Sequence, residues 1–448
     1  MTQTKERTSS PLVQAPPEWG IQPVPEKQRT LRFFDFFVLW SSLGVGLLVL
    51  EAGALLVPGL SPLHALAAIV VGTLVGNLLL SLAGLAGADH GLPTMVLLRP
   101  VLGQRGSYLP SALNLIQLIG WTAFEFWAIS LAASRISETL FGFSGYGLWL
   151  LVFAVICTLL ALGGPLVVVR QWLEKFGVWL VYGATLWMTI ALFVQYDVLS
   201  FLRQPGTGDL SFLAGVDLAV AMPVSWLPLV ADFTRFAKKP RAAFGGTYLG
   251  YLLANVWFYA LGALFMLVLQ LSEANPENLA TAIVGLTGSV IALLVILVNE
   301  VDNAFADIYS AAVTVQNVLP RVSQRWLIVG IGAVSLGLAA FLTMSQYFGF
   351  LLNIGSVFVP LFGILAADYF FLRRRRVDVG RLYEREGVYW YLAGINWLAV
   401  VAWTAGVAVY HLVLNTRPDL GATLPGFAAA FLSHLALSGI KAALRRAK

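Results

Sequence analysis

A short polar segment follows one of the most apolar stretches of this chain. The run ALLVILV leads directly into NEVDNAFADIY (residues 299–309), which contains three carboxylates and two amides: Glu300, Asp302, Asp307, Asn299 and Asn303. On a helix, the two amides and Asp307 share one face, and Glu300 and Asp302 flank it. Such oxygen-bearing side chains can hold Na+, and a carboxylate can also carry a proton. The alternative interpretation is that Glu300 and Asp307 lie near water and are simply solvated.

A second segment combines small polar residues with glycines. In LWSSLGVGLLVLEAG (residues 39–53), Gly44 and Gly46 each weaken a helix by about 1 kcal/mol relative to Ala, so we expect the helix to unwind near Val45. Carbonyl groups freed there, beside Ser42, could coordinate a cation. The alternative is close helix packing through small residues, with Glu51 further along the same helix.

Prolines interrupt a third segment, MPVSWLPLVADFTRF (residues 222–236). Pro223 and Pro228 each remove a backbone donor and clash with the preceding turn, which predicts a kinked or broken helix. Ser225 and Trp226 lie in the predicted gap. Within a membrane, such a gap is tolerated only where protein or a water-filled cavity satisfies the freed groups.

A fourth segment carries a polar and aromatic stripe. Asn114, Gln117, Trp121 and Glu125 are spaced by three, four and four residues, which aligns them on one helix face. An indole beside an amide suits a flat heterocycle, because the ring stacks on its face while the amide binds its edge. Alternatively, Trp121 packs in the core and Gln117 bonds a neighbouring helix.

Composition predicts that membrane helices position these residues. The 448-residue chain is 58% hydrophobic and 11% charged, with a mean hydropathy of +0.80, which is unlike a soluble protein. Runs long enough to cross the bilayer predict an all-α polytopic membrane protein with 12 transmembrane helices. They are centred near Val45, Gly72, Trp121, Ala154, Ala184, Pro228, Trp257, Val290 to Asp302, Val334, Val359, Val400 and Phe431. A β-barrel would need alternating strands, which the sequence does not show.

The basic residues predict the orientation. With residues 1–32 in the cytoplasm, the cytoplasmic segments carry all of the 28 Lys and Arg residues except Arg135, Arg203 and Arg417. We therefore expect the plasma (inner) membrane with both termini cytoplasmic, and the lipid bilayer but no nucleic acid as a partner. This topology also explains the basic run at 373–376, against nucleic-acid or acidic-lipid binding. A single cysteine and four histidines without ligand spacing predict neither disulfides nor a Cys- or His-based metal site.

Interruptions in helices 1 and 6, five spans apart, predict a five-plus-five inverted repeat with a substrate site at the midplane. The expected organisation is a cytoplasmic tail (1–32), a first repeat (33–196), a second repeat (214–371), two further helices (388–443) and a cytoplasmic C-terminus (444–448). A channel would instead need a continuous polar pore. An enzyme would need a nucleophile and base or a metal site, so we expect no enzymatic activity.

Three motifs resemble the nucleobase:cation symporter family of the purine-cytosine permease type. They are SYLPSALNLIQLIGW (107–121), ADFTRF (231–236) and AADYFFLRRRR (366–376), and the resemblance spans roughly residues 30–445. It implies a twelve-helix fold with inverted repeats and discontinuous helices 1 and 6. It also implies alternating access, with a small heterocyclic substrate imported together with Na+ or H+, no cofactor beyond this coupling ion, and a monomer.

The resemblance also assigns roles to individual residues. Trp121 matches the stacking tryptophan of the family, Gln117 falls one residue from its polar contact, and the second aromatic matches Pro223, so Trp226 one turn later would replace it. The remaining substrate-binding candidates are Glu125, Ser225, Glu51 and Gly46. The cation would bind backbone oxygens at Ser42 and Val45 and side chains of Asn299, Asp302 and Asn303. An aspartate departs from the family pattern and could strengthen Na+ binding or carry a proton.

Within the family, MPVSWLPLVADFTRF with FADIYSAAV (305–313) is most similar to the branch for hydroxymethylpyrimidine, a thiamine precursor. We therefore expect hydroxymethylpyrimidine or cytosine as the substrate. The alternatives are a purine, another nucleobase or allantoin, or an amino acid carried on the same fold.

Overall fold

The computed structural model describes residues 19–165, 168, 176–271, 273–274, 276–286, 289–342 and 344–446. In these ranges the regular structure is helical, apart from two isolated β-bridges. The first part of the chain forms α1 (Phe33–Leu43), α2 (Leu47–Ala54), α3 (Pro62–His90), α4 (Thr94–Leu97), α5 (Arg99–Leu102), α6 (Tyr108–Phe141), α7 (Tyr146–Gly163), α8 (Val178–Gln195) and α9 (Val198–Leu202).

The second part forms α10 (Phe212–Ser225), α11 (Val230–Thr234), α12 (Pro240–Val268), α13 (Pro276–Gly285), α14 (Ser289–Val318), α15 (Gln324–Ala339), α16 (Met344–Ala366), α17 (Trp397–Thr416) and α18 (Thr423–Arg446). A π-helical segment, Ala367–Leu372, extends α16. The predicted all-α membrane fold is confirmed.

Eight helical segments in the described ranges are long and apolar enough to cross a membrane, and α1 with α2 forms a ninth candidate span. Three other predicted spans coincide with α10, which has 14 residues, with α15, which has 16 residues, and with the polar helix α14. The count of twelve spans and the inverted repeat stay predictions.

Both predicted helix interruptions are present. The first span breaks between α1 and α2, whose axes are bent by 63°, around Val45 as expected. The second span breaks at residues 226–229, between α10 and α11, where Pro228 has no amide hydrogen to continue the helix. Pro223 lies inside α10, which ends at Ser225, so the break contains Pro228 and Trp226 but neither Pro223 nor Ser225.

Glycines hold the broken first span against α12. A Cβ at Gly262 would lie 1.8 Å from the carbonyl oxygen of Leu50, and one at Gly53 would lie 2.1 Å from that of Tyr259. Such backbone contact between helices is the packing that small residues allow in membranes. The predicted packing role of small residues therefore applies to Gly53 and also to Gly44, where a Cβ would lie 2.9 Å from that of Ala254. Gly44 and Gly46 also border the break.

The segment before α1 packs across one end of the bundle. The Val24 amide donates to the Gly91 carbonyl after α3, the Leu31 amide to the Phe236 carbonyl after α11, and the Tyr383 hydroxyl to the Ile21 carbonyl. The segments that make these contacts, after α3, after α11 and after α16, are all among those that the distribution of Lys and Arg predicts to be cytoplasmic. We call this end the N-terminal side. The described residues 19–32 of the predicted tail are thus part of the folded structure.

Gly262 tests the close packing of the first span. Gly262→Ala should destabilise the protein by about 1–3 kcal/mol, because the new methyl group overlaps the Leu50 carbonyl and the helices must separate. Thermal unfolding of the purified protein measures the effect. Gly330→Ala on α15 is the control, since its Cβ would meet nothing within 4 Å, and it should be neutral or stabilising. Equal melting temperatures for the two variants would contradict the packing.

Candidate substrate and cation site

A buried cavity lies where the two helix breaks meet α6 and α14. It is small: the centre of a water-sized sphere has about 20 Å³ of room in it, enough for about one water molecule, so the lining is closely packed in this conformation. The lining combines apolar, aromatic and polar side chains: Leu43, Leu48, Val49, Trp121, Glu125, Met222, Ser225, Trp226, Glu300, Asn303 and Asp307. The four predicted substrate contacts Trp121, Glu125, Ser225 and Trp226 therefore border one space.

One face of α14 supplies the polar wall. Glu300, Asn303 and Asp307 are 1%, 3% and 3% exposed, and their spacing of three and four residues aligns them. A Glu300 carboxylate oxygen accepts a hydrogen bond from the Leu47 amide at 3.1 Å, and the Asn303 amide donates to the Val45 carbonyl at 3.3 Å. Side chains of α14 thus satisfy backbone groups that the break in the first span frees.

Two indoles form the aromatic part of the lining. The Trp226 indole donates to the Tyr251 hydroxyl at 2.9 Å and meets Trp40 edge-on at 6.0 Å. Trp121 meets Phe350 edge-on at 5.4 Å. These contacts fix the orientation of both indoles, so the cavity presents rigid flat surfaces beside its carboxyl groups.

Glu125 brings a further carboxyl group from α6. It lies within hydrogen-bonding range of Glu300, and one oxygen of each carboxyl, Glu125 Oε2 and Glu300 Oε1, has no hydrogen-bond partner among the described residues. Ser225 is different, because its hydroxyl donates to the Met222 carbonyl at 2.7 Å. The open hydrogen-bonding capacity of the cavity therefore includes acceptor oxygens of its carboxyl groups and of Asn303.

Gln117 does not line this cavity. Its side-chain amide donates to Asn114 at 2.7 Å, and Asn114 donates in turn to Thr314 on α14 at 2.8 Å and to the Pro228 carbonyl in the second break. Through Asn114 these bonds link α6 to α14 and to the second break. Gln117 itself bonds within its own helix and, among the described residues, not to a neighbouring helix.

Glu51 and Gly46 also lie outside the lining. Glu51 is fully buried on α2, and neither of its carboxylate oxygens has a hydrogen-bond partner among the described residues. A Cβ at Gly46 would lie 2.6 Å from a Glu300 carboxylate oxygen. Gly46 therefore acts through its small size, which lets Glu300 reach the Leu47 amide.

Four of the predicted cation ligands form two contacting pairs beside the cavity. The Ser42 hydroxyl donates to Asp302 at 3.1 Å, while Asn303 reaches Val45. The second Asp302 oxygen and the Asn303 side-chain oxygen are buried with no hydrogen-bond partner among the described residues. Hydroxyl, carbonyl and carboxylate oxygens are the donors that a hard cation prefers, so these residues fit Na+. The fifth predicted ligand, the side chain of Asn299, lies outside the described residues.

The ADFTRF motif closes the cavity toward the N-terminal side. Buried Arg235 donates to the Tyr309 hydroxyl and to the Gly20 carbonyl, both at 2.6 Å. Asp232 accepts from the Thr94 amide at 2.8 Å. In the connection after α16, burial raises the pKa of Tyr383 to about 12, so its hydroxyl stays a donor to Ile21 at neutral pH. Arg235 and Asp232 thus connect the second break to the first segment, α4 and α14.

Glu300 and Asp307 line the cavity, but the sequence analysis did not include them among the substrate contacts. The sequence allowed the interpretation that water solvates both, and their burial beside the cavity rules this out. The spacing of Glu300, Asn303 and Asp307 was the available signal, because three polar residues at positions i, i+3 and i+7 of a helix share one face. Tyr251, which accepts a hydrogen bond from Trp226, lies 25 residues away in the chain, and no spacing in the sequence indicates this contact.

A helical membrane bundle with two broken spans around a buried polar cavity has the architecture of a secondary transporter. A family profile described as "Permease for cytosine/purines, uracil, thiamine, allantoin" matches residues 23–435. The chain belongs to this family, so the resemblance is confirmed and the protein is a multi-pass membrane transporter.

Curated relatives match over most of their length. The chain is 25% identical to the hydantoin permease of Microbacterium maritypicum, over 92% of this chain and 87% of that one. It is 26% identical to the cytosine permease of Escherichia coli K12, over 87% and 86%.

Solved structures share the fold. Mhp1, a nucleobase-cation-symport-1 family transporter, matches in a closed conformation with bromovinylhydantoin bound, with a TM-score of 0.83, 23% identity and 94% coverage of both chains. Its inward-facing conformation matches with a TM-score of 0.79 at 23% identity, over 96% of this chain and 95% of that one.

Arg235 offers a test of the closure on the N-terminal side. Arg235→Ala should raise the rate at which N-ethylmaleimide labels a cysteine at buried Ser310 by at least tenfold, because two hydrogen bonds that hold this side shut are lost. The background carries Cys157→Ser, which removes the native cysteine. Lys238→Ala, at an exposed residue of the same side, is the control. A rate unchanged by Arg235→Ala would show that Arg235 does not close the cavity.

Proposed function

We propose that this permease is a secondary active symporter that imports a nucleobase-like heterocycle together with Na+ or H+ by alternating access. One observation carries the proposal: two indoles, a carboxyl pair and a cluster of oxygen-bearing groups lie at the breaks of two membrane spans. Interrupted spans are where transporters of this architecture bind substrate and ion.

The favoured substrate is hydroxymethylpyrimidine or cytosine. The family description includes cytosine and thiamine, and one relative is a cytosine permease. The two segments MPVSWLPLVADFTRF and FADIYSAAV, which suggested the branch, supply Met222, Ser225, Trp226 and Asp307 to the cavity lining. Purine or allantoin transport is the alternative within the family.

The cavity binds the flat ring through its aromatic and polar walls. Trp121 and Trp226 present ring surfaces on which a heterocycle can stack. Glu125 and Glu300 present carboxyl oxygens toward its polar edge, and Asn303 and Asp307 extend this polar wall along α14. An amino acid fits less well, because its carboxylate would need a cationic partner, and the described lining contains no Lys, Arg or His.

Asn303 connects the two binding sites. It lines the substrate cavity and also holds the Val45 carbonyl in the first break, one helical position from Asp302, which binds Ser42. A cation held by Ser42, Val45, Asp302 and Asn303 would fix α1 against α14 and so shape the substrate cavity. This arrangement supports a reciprocal coupling free energy, typically 1–3 kcal/mol for such sites.

Alternating access requires the contacts of the second break to separate. The proposed moving unit contains α1, α2, α3, α10, α11 and α12, which pack on one another through glycines such as Gly53 and Gly262. Arg235 in this unit binds Tyr309 of α14 outside it. Opening toward the N-terminal side must therefore break this bond.

The stacking role of Trp121 is directly testable. Trp121→Ala should weaken binding of cytosine or hydroxymethylpyrimidine about 5- to 150-fold without loss of fold, because a stacking surface is removed and base–aromatic stacking is worth about 1–3 kcal/mol. Isothermal titration of the purified protein measures it, with Trp326→Ala as the control because Trp326 is 77% exposed. Unchanged affinity would refute the stacking role.

If a panel that also includes uracil, hypoxanthine and allantoin shows no binding with or without Na+, the proposed function is wrong.

Asp302 tests the cation site. Saturating Na+ should strengthen cytosine binding to the wild-type protein at least fivefold, and Asp302→Ala should remove this effect because the site loses its carboxylate. Asp419→Ala is the control, because Asp419 is exposed. Binding that ignores Na+ but shifts with pH would identify the coupling ion as H+. A Na+ effect that survives in Asp302→Ala would exclude Asp302 from the site.

A further inference from the structure

The described cavity lining has a surplus of hydrogen-bond acceptors. It contains three carboxyl groups, on Glu125, Glu300 and Asp307, and no Lys, Arg or His. Carboxylates only accept hydrogen bonds, and burial of negative charge without a positive partner is costly. The chemistry of the lining therefore favours a ligand that brings N–H donors or positive charge.

Three side-chain donors of the lining are engaged elsewhere. The Ser225 hydroxyl donates to the Met222 carbonyl, the Asn303 amide to the Val45 carbonyl and the Trp226 indole to the Tyr251 hydroxyl. A cyclic imide has two carbonyl groups flanking one N–H. Apart from the Trp121 indole N–H, which is not part of these bonds, its carbonyl groups would have to take donors from them. Its carbonyl oxygens would also face carboxylate oxygens.

The Glu125 and Glu300 pair provides the complementary feature. The two carboxyl groups lie within hydrogen-bonding range, on α6 and α14, and each has one oxygen without a partner among the described residues. Glu300 is held in place through the Leu47 amide. Two carboxyl groups this close repel each other unless a proton or a positive group lies between them.

We infer that Glu125 and Glu300 select a heterocycle with an amidine edge, in which an amino group is attached to the carbon beside a basic ring nitrogen. The inference rests on the proposed function and names its substrate class. The amino N–H donates to one carboxylate, and the ring nitrogen takes the proton that the pair shares, which leaves an amidinium between two carboxylates. No atom or charge is gained or lost in this transfer, and paired hydrogen bonds of this kind are strong and directional.

Matched pairs of ligands test the selection. Equilibrium binding to the purified full-length protein compares cytosine with uracil, and 4-aminopyrimidine with 4-pyrimidone, because each pair exchanges an amino group for an oxo group at constant ring size. The amino compound should bind at least tenfold more tightly in both pairs. A preference for the oxo compounds, or equal affinity within each pair, would overturn the inference while leaving heterocycle transport intact. If neither compound of either pair binds, the proposed function fails and the inference with it.

Substitutions locate the selectivity. Glu125→Gln places amide N–H donors in the cavity and should reduce the amino-to-oxo affinity ratio at least fivefold, and Glu300→Gln serves as the second variant. Glu138→Gln, on the same helix as Glu125 but exposed beside Arg135, should keep the wild-type ratio. The ratio is the decisive measurement, because a purely structural loss would weaken both compounds equally. A wild-type ratio in both cavity variants would show that other groups select the substrate.

Discussion

The structure depends on how the break in the first membrane span is stabilised. Unwinding around Val45 leaves backbone groups that lipid cannot satisfy. Glu300 accepts from the Leu47 amide and Asn303 donates to the Val45 carbonyl, so one face of α14 replaces part of the missing helical hydrogen bonds. Gly46 is small enough to let the Glu300 carboxylate approach. The interrupted span and the polar helix face therefore require each other.

This dependence explains why the two sites are adjacent. The same α14 segment that stabilises the break also places Asp302 against Ser42 and turns Asn303 and Asp307 toward the cavity. Any movement of α1 relative to α14 changes both sites at once. At the second break, Asn114 binds the Pro228 carbonyl and Arg235 closes the N-terminal side, so α6 and α14 together form the frame against which the broken spans can move.

Local chemistry made the fold and part of the site predictable. Glycines and Pro228 mark the breaks because they weaken a helix wherever they occur, and apolar length marks the spans. The cavity partners were less accessible, because they depend on helix rotation and on contacts distant in sequence. Gln117 shares a helix face with Trp121, yet its amide is held by Asn114. The solvated interpretation of Glu300 and Asp307 was wrong, because the position of a polar group along a span does not show whether it faces water or a cavity.

The most direct measurement of the central claim is the coupling between substrate and cation in Asn303→Ala. Because Asn303 contacts both the first break and the substrate cavity, cytosine affinity in the wild-type protein should depend on the concentration of the coupling cation, Na+ or H+. In Asn303→Ala, calorimetric titrations at low and saturating cation should give cytosine affinities that differ less than twofold. Wild-type coupling in this variant would contradict the claim that one helix face organises both sites.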